Sequence, residues 1–153
     1  MKKGYWKPHE DGITHINVYS KGATELGRWL TNFAFSPFTH PVHGSFDSLE
    51  GYWYWLSSGM QYDKLRKLHG YQAKSQGKIY PKIENHNFIP QFKSGIRAKL
   101  IANPDRLRQI IDNQLPLAHY YVYGDSAKHA GYEWITDYYT EIRQACINRK
   151  FRP

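Results

Sequence analysis

The strongest constraint on the fold is a helix start at Asp47-Ser48-Leu49-Glu50. A small polar residue followed three positions later by Glu matches a capping box, in which side chains satisfy the N–H groups that a first helical turn leaves unpaired. Tyr52, Trp53 and Leu56 then follow at helical spacing, and Gly59 supplies a stop. Further helical segments come after it. Tyr62–Leu68 reads as a short basic helix, and Phe92–Ile101 as a longer one with Phe92, Ile96 and Leu100 each four apart. Asn103-Pro104 is an N-cap followed by proline at the first helical position, leading a helix whose apolar face is Leu107, Ile110 and Ile111. After Gly131 a last helix carries Ile135, Tyr138 or Tyr139, Ile142 and Cys146 on one face.

Strand signals are shorter. Ile13–Tyr19 alternates apolar and polar residues, and Ala118–Tyr123 is an aromatic run suited to a buried strand. Pro41 and Gly44 mark a hairpin-like bend before Phe46. Gly22–Gly27 reads as a turn or loop, Ala73–Lys82 is a Gly- and Lys-containing stretch, and Pro81 and Pro90 bracket a loop around Glu84–Asn87. The expectation is an α+β class: a single helix-rich domain with a few short strands over residues 13–153, preceded by an extended leader over 1–12.

Composition narrows the partners. A chain of 153 residues fits one domain, and its formal charge of +8 favours anionic ligands such as phosphates, nucleotides or nucleic acid. The charge is dispersed, with short clusters at Lys2-Lys3, Lys64–Lys67 and Arg149–Arg152, so no basic tail is read from it. Aromatic residues reach 16%, including 13 Tyr and 5 Trp, a makeup suited to half-buried clefts that stack planar ligands. Cys146 is the only cysteine; an internal disulfide is therefore impossible, and a reducing, cytoplasmic setting is expected. The start lacks a continuous apolar stretch, and no run reaches membrane-spanning length, so neither a secretory signal nor a membrane partner is expected. His40 and His43 are three apart, but Pro41 lies between them and no Cys, Asp or Glu stands at ligand spacing; no metal and no cofactor are expected.

Four segments, read in order, resemble the NADAR (YbiA-like) N-glycosidase family. The first is Ile16-Asn17-Val18-Tyr19-Ser20 with Leu30-Thr31-Asn32-Phe33, Ser36-Pro37-Phe38 and Gly44. The second is Phe46 with Ser48-Leu49-Glu50 and Tyr52, similar to the family's Ser-Glu-His-Tyr at a helix start. The third is Ala73-Lys74 with Gly77-Lys78, then Ile96-Arg97-Ala98-Lys99-Leu100 leading into Leu107. The fourth is Tyr123-Gly124-Asp125, followed by Gly131-Tyr132 and Ile142-Arg143. Three positions depart from the family pattern: Gly51 stands for the usual His, Tyr123 for Trp, and His129 or a neighbour for Asn.

The resemblance implies hydrolysis of the bond between ribose C1 and a base in an ADP-ribosyl or phosphoribosyl compound, including removal of ADP-ribose from nucleobases. It implies Glu50 as the catalytic carboxylate, with Asp125 as a second carboxylate and Asn32 on a ribose hydroxyl. Trp53 or Tyr123 would stack on the base, with His129 nearby in the binding set, and Arg28, Lys74 and Lys78 would neutralise phosphate. Each residue also has a structural reading. Glu50 completes a reciprocal cap, Asn32 and Asp125 make turns, Trp53 and Tyr123 fill a core, and Lys74 and Lys78 are solvated charges. The alternative function is a non-catalytic module that binds ADP-ribose, NAD-derived nucleotides or nucleic acid.

Overall fold

The computed structural model describes residues 6–148. The Lys2-Lys3 and Arg149–Arg152 clusters and positions 1–5 of the expected leader lie outside the described residues. In the rest of that leader Pro8–Glu10 forms a 3-10 turn. The elements run β1 (Ile16–Asn17), α1 (Glu25–Leu30), β2 (Phe38–His40), β3 (Gly44–Phe46) and α2 (Leu49–Ser57). A 3-10 turn (Asp63–Lys67) follows, then α3 (Gly70–Ile79), α4 (Phe88–Ile101) and α5 (Pro104–Asn113). The chain continues through β4 (Leu117–Ala118), β5 (Tyr120–Tyr123), β6 (Ser126–His129) and α6 (Glu133–Ile147). This is the helix-rich α+β class with short strands that the sequence pattern leads one to expect. Two compact units make it up, one drawn from the chain up to Thr31 and from Asp105 onward, the other from Asn32–Pro104.

In the first unit β1 runs parallel to β4, pairing Ile16 with Leu117 and Asn17 with Ala118. The strand expected over Ile13–Tyr19 shrinks to two residues because its start is a turn. The N–H groups of Ile13 and Thr14 both donate to the Glu10 carbonyl, at 2.8 and 3.0 Å, and Ile13 is exposed. Asn17 extends the ladder with its side chain instead: Nδ2 donates to the Tyr120 carbonyl and Oδ1 accepts the Tyr120 N–H, both at 3.0 Å. Where a turn is expected at Gly22–Gly27, α1 begins, because the Thr24 hydroxyl accepts the Gly27 N–H and caps it. Leu107 and Ile110 of α5 and Ile135, Tyr139 and Ile142 of α6 are buried, as their helical spacing implies, while Cys146 is half-buried.

The aromatic run at Ala118–Tyr123 is not a wholly buried strand. It enters the β5–β6 ribbon, whose two-residue turn has Gly124 at φ +62°. Side chains alternate along it, so Tyr120 is buried while Tyr121 and Tyr123 are exposed.

In the second unit β2 and β3 form the hairpin signalled by Pro41 and Gly44. Tyr52 sits fully buried at the centre of an aromatic core, with the rings of Phe46, Phe38 and Phe92 at 4.8, 6.0 and 6.1 Å from its own. α4 starts at Phe88, four residues before the periodic stretch, and takes Pro90 into its first turn, where a missing N–H costs no intrahelical bond. α3 occupies the Gly- and Lys-containing stretch to which the pattern assigns no element. Its glycine is the reason it packs closely. A Cβ on Gly77 would lie 2.1 Å from Cγ of Tyr54, so the absence of a side chain lets α3 press onto α2.

Candidate active site

The second unit places the start of α2 under unusual restraint. Ser48 is its N-cap; the hydroxyl accepts the Gly51 N–H at 3.0 Å and donates to the Leu68 carbonyl at 2.8 Å. Glu50 is therefore the second helical residue, and its backbone N–H donates to the Asn32 carbonyl at 2.8 Å. This corrects the capping-box reading. A reciprocal cap would need the Glu50 carboxylate on the Asp47 N–H, but that N–H goes to the Arg66 carbonyl at 2.8 Å. The Glu50 side chain is thus not explained by the cap.

Glu50 is nonetheless buried, with 9% of its surface exposed. Burial disfavours its charged form and pushes the carboxyl from its ordinary 4.5 up to about 7, against the opposing pull of Lys74 and then Lys78. Those two lysines are four apart on α3 and so share a helix face. Of the two, Lys74 is half-buried and Lys78 exposed. A carboxyl poised near neutral pH beside two ammonium groups can exchange a proton with a reacting group and offset developing positive charge.

Position 51 shows why this chain departs from a Ser-Glu-His pattern. A Cβ on Gly51 would lie 2.3 Å from the Leu65 carbonyl oxygen, a clash with backbone, so the 3-10 turn packs directly on α2 there and leaves no room for a side chain.

Asn32, Glu50, Lys74 and Lys78 thus gather in the second unit. Trp53 belongs to the same unit but serves its packing, edge-on to Phe88 at 4.6 Å and to Phe92 at 5.1 Å. His40 and His43 are also occupied. His40 Nδ1 accepts the N–H groups of Val42 and His43, at 3.0 Å each, and its Nε2 meets the Ser94 hydroxyl at 2.7 Å. Since Nδ1 accepts, His40 carries its proton on Nε2. His43 Nδ1 meets the Tyr52 hydroxyl at 2.7 Å. Among the described residues no group of three His, Cys, Asp or Glu side chains is arranged to hold a metal ion. Among them, too, no helix is long and apolar enough to cross a membrane.

The remaining candidates lie in the first unit. Arg28 donates through Nη1 to the Gly22 carbonyl at 2.8 Å. Asp125 is exposed in the ribbon turn. Tyr123 is exposed, with the Lys128 ammonium 5.6 Å from its ring centroid. His129, at the end of β6, pairs with Glu133, the first residue of α6.

Two aromatic residues of the same unit, Phe33 and Tyr71, join this group. The Gly70 N–H donates to the Phe33 carbonyl at 3.1 Å, and the Phe33 ring meets Tyr71 edge-on at 4.9 Å. Tyr71 shares the face of α3 that carries Lys74 and Lys78, at i, i+3 and i+7. That spacing was present in the sequence; Gly70 and Gly77 hid the helix that gives it meaning.

No family model matches the sequence, and no curated protein matches it. Among solved structures, the NMR structure of the Escherichia coli protein YbiA is similar in fold, with a TM-score of 0.67. The match spans 94% of this chain and 95% of YbiA at 17% sequence identity.

Proposed function

We propose that the chain is an N-glycosidase of the NADAR type, hydrolysing the bond between ribose C1 and a base in an ADP-ribosyl or phosphoribosyl compound. One observation carries the reading: Glu50 is a buried carboxyl raised to about 7, with no part in its own helix cap and two lysines acting on it. The YbiA-like fold and the four ordered segments support it, since Glu50 is the residue that stands where the family has its glutamate.

As the C1–N bond breaks, its electron pair leaves with the base and positive charge develops at C1. The ionised Glu50 stabilises that charge and orients a water molecule. The water oxygen bonds to C1, its proton passes to the carboxylate and then to the base nitrogen, and the products are the free base and a ribosyl compound with a C1 hydroxyl. We assign the Asn32 amide to a ribose hydroxyl, and Lys74 and Lys78 to phosphate and to keeping Glu50 ionised.

The reaction class is tested by incubating wild type and Glu50→Gln with an ADP-ribosylated guanine nucleotide and with a phosphoribosylamino-pyrimidine, and separating the products. Free base from wild type and none from the variant is expected. No base from either removes the reading; tight binding without turnover in both would favour the binding module.

A further inference from the structure

One face of α3 runs from an aromatic end to a cationic end, and its lysines act on the Glu50 carboxyl. At the N-terminal end of α3, Tyr71 is 64% exposed although it forms a T-shaped pair with Phe33. Next along the face come Lys74 and Lys78, the two cations that act on Glu50. Beyond the C-terminal end comes Lys82, whose ammonium lies 4.3 Å from the centroid of the Tyr54 ring. Tyr54 stands one turn after Glu50 on α2, about 6 Å along the axis by helical rise. Close packing of Gly77 on Tyr54 fixes the two helices against each other and so sets Lys82 in register with the carboxyl.

Partial desolvation of an otherwise exposed side chain, and then the nearby Lys78 charge, hold the Lys82 ammonium below its ordinary value, so the two cations are close enough to repel. The Tyr54 ring holds Lys82 in place and leaves its charge beside that of Lys78. Two neighbouring ammonium groups are relieved by an anion shared between them, as a phosphate would be. Equally, an exposed aromatic edge lends its area to a planar partner.

We propose that α3 sets the direction of the ligand: the base stacks on Tyr71 beside Phe33, ribose C1 lies at Glu50, and the 5′-phosphate is held between Lys78 and Lys82. This rests on the N-glycosidase reading and adds to it an orientation and two binding residues, Tyr71 and Lys82. The order of groups along the helix face is that of a nucleotide itself, base, C1 and then phosphate.

Calorimetry with three probes separates the ends: guanosine carries a base without phosphate, ribose 5-phosphate the reverse, and guanosine 5′-monophosphate both. Both side chains are exposed, so Lys82→Ala and Tyr71→Ala should fold as wild type does. Lys82→Ala is expected to weaken ribose 5-phosphate and the monophosphate about tenfold and to leave guanosine unchanged. Tyr71→Ala is expected to weaken guanosine and the monophosphate about tenfold and to leave ribose 5-phosphate unchanged. Equal losses across all three probes, or losses in the opposite pattern, would overturn the orientation. A wild type that releases base yet shows no such split overturns the orientation alone; one that neither binds nor hydrolyses removes the functional reading with it.

Discussion

The carbonyl of Asn32 accepts the backbone N–H of Glu50 at 2.8 Å, so the residue matched to a ribose hydroxyl holds the start of the helix that bears the carboxyl. Ser48 completes that restraint from the other side, with one hydroxyl serving both the Gly51 N–H and the Leu68 carbonyl. The catalytic proposal therefore depends on a backbone frame as well as on a side chain.

Ser48→Ala removes a cap and leaves a carbonyl without its donor. It is expected to destabilise the protein by about 2 kcal/mol, read as a lower urea midpoint at unchanged slope. Ser48→Thr keeps the hydroxyl and should recover most of the loss. An unchanged midpoint in the alanine variant would show that the cap contributes nothing.

Gly51→Ala and Gly51→His test the close approach of the 3-10 turn. With a Cβ directed at the Leu65 carbonyl, each is expected to cost about 3 kcal/mol, and His no less than Ala. Introducing histidine at position 51 is thus expected to lower the thermal midpoint, with no gain in activity to offset it. A His variant as stable as wild type would mean that the turn yields readily.

Glu50 makes stability depend on pH in a set direction. Its folded value, about 7, lies above its ordinary 4.5, so between those limits the folded state binds more protons than the unfolded chain. The stabilisation linked to that proton is fully present below about 4.5 and is lost as pH rises through 7. The whole shift is on the order of 3 kcal/mol. Glu50→Gln should flatten this part of the profile, leaving the variant relatively more stable than wild type above pH 7. Parallel profiles for the two proteins would contradict the raised value.

Lys74 and Lys78 pull the Glu50 carboxyl downward, so removing either charge lets burial raise it further. Base release that needs ionised Glu50 should rise with pH through an inflection near 7, and Lys74→Met or Lys78→Met should move that inflection upward. A downward or absent movement would mean that neither lysine faces the carboxyl during turnover.

Much of this was legible in the sequence, for identifiable reasons. The helices at Leu49, Pro104 and Glu133 announce themselves through caps and apolar spacing, and the β2–β3 hairpin through Pro41 and Gly44. Glu50 was legible through its place after Ser48, but its register was not. Asp47 and Ser48 are both good caps, and two bonds in the fold decide between them: the Ser48 hydroxyl accepts the Gly51 N–H, and the Asp47 N–H goes to Arg66. α3 escaped because Gly77 reads as a breaker by local propensity, whereas in the fold it is the point of contact with Tyr54. With α3 missed, the stripe from Tyr71 to Lys78 had no face to lie on. β1 was overestimated because alternation cannot reveal the hydrogen bonds that turn Ile13 and Thr14 back onto Glu10.

The central claim is that Glu50 carries the chemistry, and the rate of a single turnover tests it most directly. With enzyme in excess over an ADP-ribosylated guanine nucleotide at pH 8, wild type is expected to release base about a thousandfold faster than Glu50→Gln. Equal rates for the two proteins would contradict the claim.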